Sequence, residues 1–417
     1  MTAEVVLVNK SAAVLAADSA VTISGDYGSK TYNSASKIAA LSYDPPIGAL
    51  VYGDSEILGI PWESIKRMYS DEFRGGNHPK DTVADVADDF FTWIDNQADW
   101  LFRQLEERRA VESADQSLAS VFTAVGQRAE NVTPDDAAIA YVDAELRSSQ
   151  VDVQAPRQRQ ETLRLFADIF DARMSVHQLR GLGLADATWQ RIGDLAAETL
   201  RRRSLSQGSV GSSGVAFAGI GSRQFHPELV VYNVRGVLNA SIVRDKDPRK
   251  SNAEGAPPAR IVPLGQSEIV EAFLGGSQPK YQAVADQIVG GLGETVTTLV
   301  LSVLRSQGIE ATAYGDALKS VVTAAIDDAL DQLEQKRKES ARSIQDMIAN
   351  LPTPELVAAA EALVSLSALR QRIGPDLETV GLPVDVAVAS KIEGFVWVRR
   401  KRYFSLDLNP ELYYRRS

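Results

Sequence analysis

The first fifty residues alternate short apolar runs with polar breaks, which is the pattern of β-strands separated by turns. Asn9-Lys10-Ser11 separates the first two runs, and Asp44-Pro45-Pro46 separates the last two. Between the pairs lies a stretch rich in Gly, Ser and Asn, which predicts a loop. The pattern predicts four strands that form a first sheet, at residues 3–8, 12–18, 37–41 and 47–52.

Two long stretches have helical spacing instead. The first begins near residue 54 and continues to about 203, with Val83, Val86, Phe90 and Ile94 three or four positions apart. Within it, Thr133-Pro134 predicts a helix cap with proline in the first turn. The second stretch covers residues 266–373 and also predicts helices.

Strands return after a glycine- and serine-rich hinge at 207–214. Four of them are predicted as a second set, and a last pair comes near the end of the sequence, at 215–220, 228–234, 238–243, 260–264, 384–389 and 394–398. Strands in two groups with helices between and after them predict an α+β fold. We expect a four-layer αββα sandwich of two stacked, mainly antiparallel sheets.

Composition removes several classes of chemistry. The 417 residues include no cysteine and only three histidines, which excludes thiol nucleophiles and gives no pattern of metal ligands. The net charge of −11 argues against a nucleic-acid partner. Neither a secretion signal nor a membrane span is predicted, so we expect a cytoplasmic protein. The sequence also lacks Gly-x-Ser-x-Gly and a phosphate-binding loop.

The N-terminus offers a catalyst that needs no histidine. Thr2 follows Met1, and removal of that methionine would give a threonine whose own α-amine can act as the base for its hydroxyl. Asp18 ends the second predicted strand, and Lys37 begins the third. A lysine beside the threonine would stabilise negative charge there, and an aspartate would keep that lysine charged and oriented.

Thr2, the Ala17-Asp18-Ser19 motif and Lys37 at the start of a strand together resemble proteasome β-subunits, HslV and related bacterial proteins of the N-terminal-nucleophile (Ntn) hydrolase superfamily. The resemblance covers residues 2–70, 210–275 and 380–400. It implies one Ntn-hydrolase domain, with a core at 2–75, 207–275 and 376–404. Two helical insertions, at about 80–205 and 280–373, are longer than in ordinary members.

The resemblance also implies roles for further residues. A backbone N–H at Tyr52 or Gly53 would form the oxyanion hole, because a Gly-rich turn follows that strand in the family. The family's Gly-Ser-Gly turn reads Gly265-Gln266-Ser267 here, so the supporting serine is either shifted to Ser267 or missing. Asp376 and Thr379 lie in the neighbourhood of the family's other supporting residues.

The expected activity is that of a threonine peptidase or amidohydrolase that forms an acyl-enzyme and uses neither a cofactor nor a metal. We expect the protein to act on a peptide or protein and to form a homo-oligomer. We expect neither a nucleic acid nor a membrane as partner. Whether an ATPase or unfoldase works with the protein is left undecided by the sequence. Two alternatives remain: an Ntn amidase that acts on a small amide, and a catalytically inactive proteasome-like scaffold. A fold alone does not fix the substrate.

Overall fold

The structure is a computed structural model. It describes residues 3–25, 28–76, 78–148, 154–205, 212–252, 259–308, 312–374, 380–402, 404–405 and 409. The predicted hinge at 207–214 therefore lies largely outside the described residues.

Strands and helices follow one another in blocks. The strands are β1 (Ala3–Val8), β2 (Ala12–Ala17), β3 (Val21–Gly25), β4 (Gly28–Tyr32), β5 (Ile38–Tyr43), β6 (Pro46–Gly53), β7 (Glu56–Ile57), β8 (Ile60–Pro61), β9 (Ser213–Gly219), β10 (Glu228–Leu238), β11 (Ser241–Lys246), β12 (Arg260–Gly265), β13 (Asp385–Ser390) and β14 (Gly394–Arg399). The helices are α1 (Trp62–Gly75), α2 (Val83–Asn96), α3 (Ala98–Gly126), α4 (Pro134–Arg147), α5 (Ala155–Leu165), α6 (Ala167–Val176), α7 (Asp186–Ser204), α8 (Glu268–Gly275), α9 (Pro279–Ser306), α10 (Thr312–Ile348) and α11 (Thr353–Ile373). A short 3-10 helix, Gln178–Leu182, precedes α7.

Two five-stranded antiparallel sheets form the β part of this α+β fold. The first sheet has the order β12-β1-β2-β13-β14, and the second has the order β11-β10-β9-β6-β5. The prediction that the first four strands share a sheet was wrong, because β1 and β2 lie in one sheet and β5 and β6 in the other. β12 likewise joins β1 instead of the strands that precede it. Local periodicity marks strands but carries no information about distant pairing.

Two local predictions also need correction. The stretch expected to be a loop after β2 contains the hairpin β3–β4, whose polar and glycine residues hide the strand pattern. The turn between β10 and β11 lies at Asn239 and Ala240, both with positive φ, so Leu238 ends β10 and does not begin the next strand. Two positive φ angles are typical of a tight hairpin turn.

The chain divides into two compact units. Unit 1 comprises residues 1–48, 218–229 and 253–417, and unit 2 comprises 49–217 and 230–252. Unit 1 contains the first sheet and α8 to α11, whereas unit 2 contains α1 to α7.

The core of unit 1 lies between α11 and one face of the first sheet. Alternate residues of β1, β2 and β13 point to this face and meet the apolar side of α11, including Leu356, Ala360, Leu363 and Val364. Full burial of each leucine or valine side chain in this core contributes about 1.5–3 kcal/mol.

The opposite face of the first sheet is covered as well. β5 contacts β2 and β14 within unit 1, and the Tyr43 ring meets the Phe395 ring edge-on at 6.0 Å between centroids. Strands β1, β2 and β13 are therefore buried on both faces, so any charged side chain on them needs a partner.

Unit 2 has its main core among helices. Side chains of α3, α4, α6 and α7 form one buried cluster. Phe90 and Phe91 of α2 pack instead against Phe217 of β9 and Tyr232 of β10. The predicted cap of α4 is confirmed, because Thr133 Oγ1 accepts the Asp136 N–H at 3.1 Å and Pro134 occupies the first turn.

Helices α9 and α10 pack along each other as an antiparallel pair. Gly293 is buried in their contact, since a Cβ atom there would lie 2.3 Å from Cδ1 of Ile326.

Among the described residues, one helix, at Lys280–Ser306, is long and apolar enough to cross a membrane, with a mean hydropathy of 1.4 over 18 residues. Such a single helix is weak evidence for a span, and 6% of that window is buried.

Lys66 of α1 is an ionisable side chain in the core of unit 2. It is 1% exposed, and burial lowers its pKa to about 7, although the nearby Glu63 acts in the opposite direction. Between pH 7 and about 10 the unfolded chain therefore binds more protons at this position than the folded chain does. The folded state gains stability as the pH rises through this window.

We predict that Lys66→Met flattens the rise in the free energy of unfolding between pH 7 and 10. Lys66 alone contributes a slope of up to about 1.4 kcal/mol per pH unit, and methionine cannot titrate. Urea unfolding at pH 7, 8, 9 and 10 measures this slope. The exposed-lysine variant Lys319→Met should keep the wild-type slope, and equal slopes for both variants would contradict the prediction.

Candidate active site

A row of polar side chains lies at one end of the first sheet. Because β1 and β13 both run antiparallel to β2, their first residues meet the last residues of β2. The register pairs Glu4 with Ala17 and Ala17 with Asp385, which places two acidic residues on either side of an alanine. Asp18 follows directly, so this end of the sheet carries three carboxylates.

Asp18 is the most heavily bonded of the three. Its Oδ1 accepts the Ala3 N–H at 3.1 Å, and its Oδ2 accepts the Ala20 N–H at 2.9 Å and the Gly381 N–H at 3.0 Å. The Lys37 ammonium also donates to Oδ1. Asp18 is fully buried, so these donors replace the water that an ionised carboxylate requires.

Lys37 lies between two carboxylates. Besides its bond to Asp18, its Nζ lies 3.0 Å from Oε1 of Glu4, whose side chain is fully buried. Lys37 itself is 8% exposed. A buried ammonium is stable only with such compensation, and the two carboxylates supply it. Sequence reasoning missed Glu4, although an acidic residue in the otherwise apolar strand Ala3–Val8 was a visible signal.

A second lysine, Lys401, belongs to the same cluster. Lys401 Nζ lies 3.1 Å from Oδ2 of Asp385 and donates to Ser19 Oγ at 2.7 Å, while the Ser19 hydroxyl donates to the Pro383 carbonyl. Burial lowers the pKa of Lys401, with a smaller contribution in the same direction from Lys37, whereas Asp385 acts against the shift. The sequence analysis assigned no role in the site to this lysine.

The structure brings some of the predicted site residues into contact, but not all of them lie among the described residues. Asp18 and Lys37 are in direct contact, as expected. Gly265, at the end of β12, pairs with Ala3 of β1. Ser267 comes two residues after Gly265, in the turn that leaves β12. Ser267 is half-buried and precedes α8, without a side-chain bond to that helix. Thr2, Asp376 and Thr379 lie outside the described residues.

Tyr52 and Gly53 lie in unit 2, at the end of β6. Gly53 has a φ of +81°, and a Cβ atom there would lie 2.5 Å from the Ser212 carbonyl oxygen, so only glycine fits this turn. The Tyr52 hydroxyl accepts a hydrogen bond from Lys250 Nζ at 3.3 Å. The role of the Tyr52 or Gly53 backbone N–H as a donor in the oxyanion hole stays a prediction.

The cluster holds the Lys37 ammonium between the carboxylates of Glu4 and Asp18, near the start of β1. No group of three or more potential metal ligands occurs among the described residues. No protein-family model matches this chain, and no curated protein sequence matches it. The buried ion pairs are therefore the basis for assigning a function.

We predict that Asp18→Asn destabilises the protein by about 2–4 kcal/mol, because it leaves Lys37 with one anion fewer and turns an amide group toward backbone donors. Chemical denaturation at pH 7 measures the loss. Asp99→Asn is the matched control, since the Asp99 side chain is 85% exposed. Similar free energies of unfolding for the two variants would show that Asp18 does not hold this end of the sheet.

Proposed function

We propose that this chain is an Ntn hydrolase similar to proteasome β-subunits and HslV, with Thr2 as nucleophile once Met1 is removed. One observation carries the proposal: Asp18 binds both Lys37 and the N–H of Ala3, the residue that follows Thr2 in the chain. The same carboxylate thus fixes the lysine and the strand that begins beside the threonine. A plain capping aspartate would not require a buried lysine held by a second acid.

The proposed reaction has two steps. The Thr2 hydroxyl attacks the carbonyl carbon of an amide and transfers its proton to the free α-amine, which passes it to the departing nitrogen. The C–N bond breaks, and an ester between Thr2 and the acyl group remains. Water then attacks this ester, releases the acid and restores the threonine hydroxyl.

Lys37 supplies electrostatic stabilisation in both steps. Its ammonium charge favours the partial negative charge on the attacking oxygen, and Glu4 and Asp18 keep it charged and oriented. A backbone N–H of Tyr52 or Gly53 would stabilise the tetrahedral oxyanion, and Ser267, Asp376 and Thr379 would support the nucleophile. No cofactor takes part in this scheme.

The proposal includes the αββα arrangement and a cytoplasmic, homo-oligomeric protein that acts on a peptide or protein. Helices on one face of the first sheet and β5 on its other face support the layered arrangement. The net charge of −11 supports a partner other than nucleic acid. The identity of an ATPase or unfoldase partner stays open.

We predict that the purified protein lacks Met1 and that a peptide epoxyketone or boronate labels Thr2. Intact-mass analysis of protein with a C-terminal tag measures both events, and Thr2→Ala should remain unlabelled while folded. Panels of fluorogenic peptides and of small amides separate a peptidase from an amidase. Retained Met1, or equal labelling of Thr2→Ala, would contradict the nucleophile and favour the scaffold alternative.

We also predict that Lys37→Ala lowers turnover by at least about a hundredfold, as expected for the loss of one preorganised electrostatic group. Lys30 of β4 is exposed and provides the control, so Lys30→Ala should change turnover little. Melting curves identify any loss that comes from unfolding. A folded Lys37→Ala variant with wild-type turnover would remove Lys37 from the mechanism.

A further inference from the structure

Helix α9 carries an apolar stripe that the described parts of the chain leave uncovered. Its members recur every three or four residues, close to the 3.6-residue turn, so the stripe runs along the helix axis. Each is between 47% and 62% exposed: Tyr281, Val284, Ile288, Leu292, Val296, Leu299 and Val303. Monomeric proteins seldom expose a continuous apolar surface of this length.

The stripe is not the face by which α9 packs in its own chain. The contact with α10 runs through Gly293 and the neighbouring apolar residues, on a different side of the helix. The stripe itself contains no charge, because the positions that complete its sector are Ala285, Thr295 and Ser302. Lys280, Glu294 and Arg305 lie outside that sector. An apolar stripe without charged side chains can pack against an identical stripe of a second chain.

The area of the stripe matches a protein interface. Seven side chains exposed by about half offer roughly 700 Å² on each copy, so two stripes would bury about 1,400 Å², within the range of stable dimers. A symmetric dimer needs a surface that complements itself, and this stripe meets that condition. Two α9–α10 pairs joined in this way would form a four-helix assembly with the two α9 helices at its centre.

A lipid bilayer fits the same surface less well. Helices that lie on membranes have a polar face rich in Lys and Arg. The charges of α9 are balanced instead, with Lys280 and Arg305 against Asp286 and Glu294. Because α10 packs along α9, insertion would also carry exposed charges such as Asp327 and Lys336 into hydrocarbon, which is unfavourable.

We propose that the stripe on α9 is the surface at which a second copy of this chain binds. The interface is formed by the two α9 stripes, related by a two-fold axis, with the α10 helices on the outside. This surface does not depend on the proposed hydrolase chemistry. Its test uses mass and cross-linking, and therefore fails or succeeds independently of activity.

Light scattering coupled to size exclusion tests the interface. At micromolar concentration the wild-type chain should have a mass of at least twice 45.2 kDa. The variant with both Leu292→Glu and Leu299→Glu should show half the wild-type mass, with an unchanged circular-dichroism spectrum, because both positions are exposed in a single chain. Ile392→Glu, at a residue that is 93% exposed in a turn of the same unit, should keep the wild-type mass.

A second measurement uses the absence of cysteine from the sequence. Leu292→Cys introduces one thiol at the middle of the stripe, and mild oxidation should link two chains through it, whereas Ile392→Cys should stay largely unlinked. A wild-type mass of one chain, or an unchanged mass for the double variant, would overturn the proposal. Flotation of the wild-type protein with anionic vesicles, lost in the double variant, would assign the stripe to a membrane instead.

Discussion

Three backbone N–H groups meet on the carboxylate of Asp18, and one of them lies 363 residues away along the chain. They belong to Ala3 at the start of β1, Ala20 after β2 and Gly381 before β13. Because the carboxylate is fully buried, each bond replaces water that it loses on folding. The register of three central strands, and the position of Lys37 between Asp18 and Glu4, depend on this one anion.

Much of the secondary structure could be predicted, because it depends on local patterns. The apolar runs of β1, β2 and β13 were recognised to within one residue, and the cap at Thr133 was identified from residue types alone. The division of strands between sheets could not be predicted, since it depends on pairings such as Ala3 with Gly265 that lie far apart in the sequence. The β3–β4 hairpin was missed because its strands contain few apolar residues.

The site shows the same division between local and distant information. Asp18 and Lys37 were identified through a resemblance that concerns neighbouring segments, and they are in contact. Glu4 was overlooked because its partner, Lys37, precedes β5, a strand that does not directly follow β1 in the chain. Lys401 could not have been found by spacing, since its link to Ser19 crosses 382 residues of sequence. Its partner Asp385 is adjacent to Ala17 only through the pairing of β13 with β2.

The long separation of these partners affects when the site can form during protein synthesis. Asp18 leaves the ribosome early, but the Gly381 amide that completes its hydrogen bonds follows 363 residues later. At about 5–20 residues per second, that interval lasts roughly 20–70 s. A nascent or truncated chain thus lacks the Gly381 N–H, one of the three backbone donors to Asp18. A partly synthesised chain therefore cannot yet form the complete set of hydrogen bonds at Asp18.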